Sequence, residues 1–362
     1  MPRSQPLPLP FVTQVEPYLP GDFAADGVRD PVKLSSNESL LGPSAQAVKA
    51  YENAAAALAR YPDSQCTGLR QKLAALHGID AGRIVCEAGS EQLINLLARI
   101  YAGPGDEIVY TRHGFIAFRI AAQSCGATAI ASEERDFVAN VEAILECVTR
   151  RTRVVFLANP NNPTGSWISA SEIARLRHTL PPRVLLVLDG AYADYMDDPD
   201  YNDGMRLVSD DAPNTVVLRT FSKIHALAAL RVGWAYCPTP VADALNRMRG
   251  VFTVSTPAQA AAEASVEDAA HLALARRHNQ EWREWLTGEL AGLGLEPLAS
   301  GGNFLCIAFR DKAHALSADA ALRHAGFIPR RLEEYGLDRF LRLTVGLESH
   351  NRAVVDVLKK VR

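Results

Sequence analysis

Short, continuous runs of β-branched and leucine residues recur along this chain, each followed by a stretch with helical spacing. Ile84-Val85-Cys86, Glu107-Ile108-Val109-Tyr110, Val154-Val155-Phe156-Leu157 and the runs 184–188 and 215–219 are of this kind. Strands that are apolar without alternation are covered on both faces, which calls for a mainly parallel sheet between helices. The segments 92–101, 116–124 and 169–179 between them supply the crossover connections. The fold class is therefore α/β. Ahead of this pattern, 44–60 reads as an Ala-rich helix behind a Ser N-cap, and 68–77 as a second helix closed by Gly78. After about residue 250 the style changes. Residues 258–280 read as one long Ala-rich helix, followed by a new β/α set at 303–309, 317–325 and 341–345. The expected division is an arm and part of a small domain in 1–40, a large domain in 41–250 and the small C-terminal domain in 251–362.

Composition narrows the function. A hydrophobic share of 48% leaves ample material for a core, so the chain is not disordered. Lys+Arg 38 against Asp+Glu 41 gives a net charge of −3, which argues against a nucleic-acid partner. No apolar run approaches the ~20 residues that span a bilayer, so no membrane partner is expected. The six cysteines include no C-x-x-C pair, and they fall in apolar segments as small buried hydrophobes. No metal site is expected. The N-terminus, with four prolines in ten residues, is a poor signal peptide and reads as an extended arm. The expected location is a reducing cytoplasm.

Three features stand at the ends of consecutive strands. Asn159-Pro160-Asn161-Asn162-Pro163-Thr164-Gly165 is a rigid turn after the run 154–157. Asp189 ends the run 184–188 and is followed by Gly190-Ala191-Tyr192. Thr220-Phe221-Ser222-Lys223 follows the run 215–219, with Arg231 downstream. Each alone has a structural reading as a strand-exit turn, a turn aspartate or a solvated loop lysine. Ligands of open α/β sheets bind at the C-terminal ends of the strands, however. A lysine buried there loses proton affinity and becomes a nucleophile for carbonyl carbon.

In that order and spacing, the features resemble the fold-type I enzymes that use pyridoxal 5′-phosphate (PLP), and within them the histidinol-phosphate aminotransferases. The resemblance runs from Tyr18 to the C-terminus. It implies an aspartate-aminotransferase-like fold, with a large domain on a mainly parallel seven-stranded sheet and a smaller α/β domain. It also implies transamination of histidinol phosphate with 2-oxoglutarate, a small-molecule amino donor and 2-oxo acid as partners, and a homodimer. Lys223 would hold the cofactor and move the substrate proton, Asp189 would pair with the ring nitrogen, and Asn162 and Tyr192 would bond the phenolic oxygen. Gly89, Ser90 and Glu91 at a helix start, with Ser222 and Arg231, would take the phosphate. Tyr61 matches a tyrosine that reaches the partner subunit's cofactor. Arg342 matches the clamp for the substrate carboxylate and Arg330 the arginine for the substrate phosphate. Tyr18, Asn37 and Asn303 match other substrate positions.

Several positions depart from the family pattern. His113 stands where an aromatic, commonly Tyr, stacks on the ring. Gly190 replaces a usual Glu, Ala229 a Gly, Arg331 a Pro and Thr253 a frequent Asn. Three rivals follow: an aromatic or broad-range aminotransferase, a decarboxylase on the same fold, and a PLP-sensing regulator with an added DNA-binding module. The last would need a basic module before the fold, where about 30 Pro-rich residues precede Leu34.

Overall fold

The computed structural model describes residues 6–15, 22, 24 and 27–361. Seven strands form the large sheet in the spatial order Ile84–Glu87, Gly233–Tyr236, Thr215–Thr220, Leu185–Asp189, Thr152–Ala158, Glu107–Thr111, Thr128–Ser132. All neighbours are parallel except Gly233–Tyr236, which runs antiparallel to both of its own. The continuous apolar runs are buried throughout, as a sheet covered on both sides requires. Alternate residues of the same strands enter different cores. Val155, Leu157, Leu186, Leu188 and Val217 face one, with Leu69, Leu73, Ile173 and Leu176 from helices. Val154, Phe156, Leu185, Val187 and Val216 face the other, with Leu93, Leu97, Phe118 and Leu245.

Helix ends follow the chemistry of their caps. Ser44 and Ser169 accept from the N–H groups of Ala47 and Glu172, and Gly78 ends its helix at φ 64°. The helix expected over 44–60 stops at Ala54 and tightens into a 3-10 turn at Ala55–Ala57. The single helix expected over 258–280 is two helices, Thr256–Glu267 and Ala269–Gly292. Asp268 breaks it: its ψ of 67° is not helical, and its side chain caps the second helix at His271 N.

A second sheet of four antiparallel strands, Glu296–Pro297, Phe304–Ala308, Leu337–Thr344 and Arg330–Leu332, has its own core around Trp282, Leu286, Leu305 and Leu343. Val32–Lys33 pairs in parallel with Phe327–Ile328. That pairing carries residues 34–38 across to the mouth of the large sheet. Among the described residues, no helix is long and apolar enough to cross a membrane.

Candidate active site

Because five of the large-sheet strands are parallel neighbours, their C-terminal ends open on one edge. There Asp189, Asn162, Tyr192, Ser222 and Lys223 meet Ser90 and Glu91, Arg231, Asn37, Arg330 and Arg342 around a cavity of about 250 Å³. The Asn-Pro turn divides its labour. Asn159 is tied to Ile168 through both side-chain atoms, at 2.8 and 3.2 Å. Asn161 donates to the His113 carbonyl at 3.0 Å and to Thr164 Oγ1 at 2.9 Å. With those two consumed in bracing the loop, Asn162 is left facing the cavity, where its Oδ1 accepts from Arg342 Nη1.

An anion cradle lies at the start of the helix Ser90–Tyr101. Gly89 sits at φ 91°, and a Cβ there would lie 2.6 Å from Arg231 Nη2. A Cβ on Gly233 would lie 2.2 Å from Ser90 N, so only glycine lets the antiparallel strand approach the helix end. Arg231, itself in the left-handed region at φ 55°, donates to Ser222 Oγ at 3.3 Å and to the Ala228 carbonyl at 3.0 Å. Helix N–H groups, a serine hydroxyl and a guanidinium thus converge on one spot, the arrangement that binds phosphate.

Deeper in, Lys223 Nζ donates to the Ser36 carbonyl at 3.0 Å and lies 5.6 Å from the Tyr192 ring centre. Burial, then the charges of Arg342 and Arg231, depress its amine to about 8, against the pull of Glu38 and Asp189. Asp189 is buried, which pushes its carboxyl up to about 6 despite the Ala191 N–H it accepts at 3.1 Å and the nearby Lys223. The Tyr192 hydroxyl accepts from Asn37 Nδ2 at 2.8 Å. Asn37 holds a positive φ of 58°, and Thr344 Oγ1 accepts its backbone N–H at 3.1 Å.

Not every expected residue arrives. His113 does not line the cavity: Glu134 takes its backbone N–H at 3.0 Å and its ring Nδ1 at 2.8 Å, turning it away. Phe115, the residue before the helix Ile116–Ser124, lines the cavity instead. Asn303 is buried outside the lining and donates to the Asn37 carbonyl at 3.1 Å, so it braces the loop that carries Asn37. Tyr61 is 82% exposed, stacked on Phe252 at 4.5 Å, and away from this cavity. Tyr18 lies outside the described residues. Residues that sequence reasoning passed over include Ser35, Ser36, Glu334 and Tyr335. The signal for the last two was their place beside Arg330 in one short strand–turn segment. Two departures acquire reasons. Arg331 pairs at 2.8 Å with the buried Asp319, and a Cβ at Gly190 would already touch Arg219 Cδ at 3.3 Å.

Comparison with known proteins agrees with this geometry. The family model for aminotransferase class I and II matches residues 29–358. A histidinol-phosphate aminotransferase of Paramagnetospirillum magneticum is 47% identical over 359 residues, 99% of each chain. The crystal structure of histidinol-phosphate aminotransferase from Sinorhizobium meliloti in complex with pyridoxal-5′-phosphate superposes with a TM-score of 0.87 at 27% identity, covering 92% of both chains. Aspartate aminotransferase from Thermus thermophilus with maleate, 20% identical, shares the fold at a TM-score of 0.82 over 92% of each chain. Strand-end lysine, buried aspartate and anion cradle therefore stand on an aspartate-aminotransferase-like scaffold, and the chain belongs to the aminotransferase class I and II family.

Proposed function

We propose that this aminotransferase exchanges an amino group between histidinol phosphate and 2-oxoglutarate, using PLP. The residues present suit that cofactor. The cradle of Gly89, Ser90, Ser222 and Arg231 takes a phosphate, the buried carboxylate of Asp189 needs a cationic partner, and Lys223 supplies an amine of lowered proton affinity. When bound, PLP supplies a carbonyl carbon for the amino group and a ring that accepts an electron pair.

The chain's own groups do the rest. Asp189 holds a proton on the ring nitrogen, and Asn162 and Tyr192 bond the phenolic oxygen. Glu91, in the first helical turn, borders the phosphate cradle. Lys223 would hold the cofactor through Nζ, and the same amine would carry the proton that leaves the substrate Cα. Arg330, with Arg342 opposite, takes the phosphate of histidinol phosphate; in the other half-reaction Arg342 clamps the α-carboxylate of glutamate or 2-oxoglutarate and Arg330 the second carboxylate, with Asn37 beside them.

One observation carries the substrate assignment. Arg330 and Arg342 are directly opposed on neighbouring strands and both line the lysine's cavity, a guanidinium pair suited to the phosphate dianion of histidinol phosphate and, in the other half-reaction, to the two carboxylates of 2-oxoglutarate. Titrating the holoenzyme with histidinol phosphate should convert its absorbance to that of the aminated cofactor, and 2-oxoglutarate should restore it. Conversion by phenylalanine but not by histidinol phosphate would overturn the assignment in favour of an aromatic aminotransferase.

We also infer a homodimer in the cytoplasm. Tyr61 is exposed, stacked on Phe252 and away from the chain's own cavity, which supports a role at a neighbouring subunit's phosphate. Six unpaired cysteines suit a reducing compartment, a point that cell fractionation tests. The protein should sediment at twice the chain mass, and Tyr61→Phe should loosen cofactor retention about tenfold without changing that mass. A monomeric holoenzyme that is fully active would refute the dimer.

A further inference from the structure

The two arginines opposed across the small sheet are not in the same electrostatic state. Arg342 donates to two neutral acceptors, Asn162 Oδ1 and the Ser35 carbonyl, and keeps its charge toward the cavity. Arg330 donates from Nη2 to a carboxylate, Glu334 Oε1, four residues along the chain. Their side chains are only 11% and 21% exposed, so water screens this pair weakly. Both residues line the lysine's cavity, and both also line a wider outer cavity of about 700 Å³. The Arg330–Glu334 pair is the partition between the two spaces.

We infer that Glu334 is a specificity-determining residue: an internal counter-ion on Arg330 that an anionic substrate group must displace and a neutral one leaves in place. The inference rests on the proposed function, in which Arg330 receives the phosphate of histidinol phosphate or the second carboxylate of glutamate. A phosphate or carboxylate reaching Arg330 meets the like charge of Glu334. That carboxylate has a route outward, into the cavity it already lines, where water can solvate it. A neutral side chain in the same place leaves the ion pair closed and strands no buried guanidinium. Glu334 therefore weakens anionic substrates, tolerates neutral ones and narrows the gap between them.

The test is Glu334→Gln in the holoenzyme, which keeps size and hydrogen bonding while removing the charge. Single-turnover half-reactions with histidinol phosphate, glutamate and phenylalanine give kcat/KM from the change in cofactor absorbance. For the two anionic substrates kcat/KM should rise about three- to tenfold, and for phenylalanine it should fall by a comparable factor. Glu333→Gln removes the same charge from an exposed neighbour that lines only the outer cavity, and all three values should stay unchanged. A Glu334 that merely supports the fold would move every substrate in one direction, which overturns the inference. So would unchanged ratios, or an equal shift in Glu333→Gln. If the unaltered enzyme fails to react with histidinol phosphate, the substrate assignment falls instead. The glutamate-to-phenylalanine ratio in Glu334→Gln still decides the role of Glu334.

Discussion

Lys223→Ala is expected to lower transamination by about 10⁴-fold or more, because one side chain supplies both the covalent anchor and the proton carrier. The protein should remain folded. In the protein stripped of cofactor, the amine is depressed from its ordinary 10.5 to about 8, chiefly by burial. Between those values the unfolded chain binds a proton that the folded chain does not, so stability rises with pH across that window. Below about 8 the buried charge is a full burden on the fold. Alanine removes it at neutral pH, which offsets the loss of the bond to the Ser36 carbonyl. Thermal unfolding of the cofactor-free variant at pH 7 should therefore match or exceed that of the unaltered protein. Cofactor attachment needs the neutral amine, so its rate should climb with pH and level off near 8 rather than near 10.5. Turnover within a hundredfold of the unaltered enzyme would remove Lys223 from the mechanism.

Asp189→Asn should cost about 10³-fold in kcat, the scale of losing one preorganised charge contact in a dry site. Burial raises this carboxyl from 3.8 to about 6. A raised carboxyl stabilises the fold below its unfolded value, and that contribution is lost as pH climbs through about 6. At neutral pH the cofactor-free protein therefore carries a buried carboxylate at a cost, which the cationic ring nitrogen of PLP would compensate. Cofactor affinity should accordingly fall as pH drops through about 6, and the asparagine variant should lose that acid limb. Equilibrium titrations of the cofactor between pH 5 and 8 measure it. An acid limb that persists in the variant would assign it to another group.

Glu334 gives the site a property that neither of these variants would reveal. Lys223 and Asp189 act on every substrate alike, since they serve the cofactor. The Arg330–Glu334 pair meets only the substrate group that lies at Arg330, where a phosphate or second carboxylate differs from a neutral side chain.

Much of this was legible from the residues because the signals are local. Runs such as 184–188 are apolar without alternation, so burial on both faces and hence a parallel sheet follow from the run itself. Once the strands are parallel, whatever follows each one lies on the same edge, which unites Asn162, Asp189 and Lys223 by topology alone. The antiparallel strand Gly233–Tyr236 carries no such mark. Its place beside Ile84–Glu87 needs the close approach of Gly233 to Ser90, a contact between distant parts of the chain.

The sequence by itself determined the α/β class, the strand-end lysine and aspartate, and the family. These rest on periodicity and on residue types within a few positions of one another. Only the tertiary structure decided which neighbouring side chain turns inward. Glu134, 21 residues away, removes His113 from the cavity and leaves the place to Phe115. Asn303, 266 residues from Asn37, becomes a brace rather than a contact. Arg330 meets its own counter-ion because the turn after its strand brings Glu334 back against it. A side chain's direction is set by the partners that reach it, and those partners are chosen by packing rather than by neighbours in sequence.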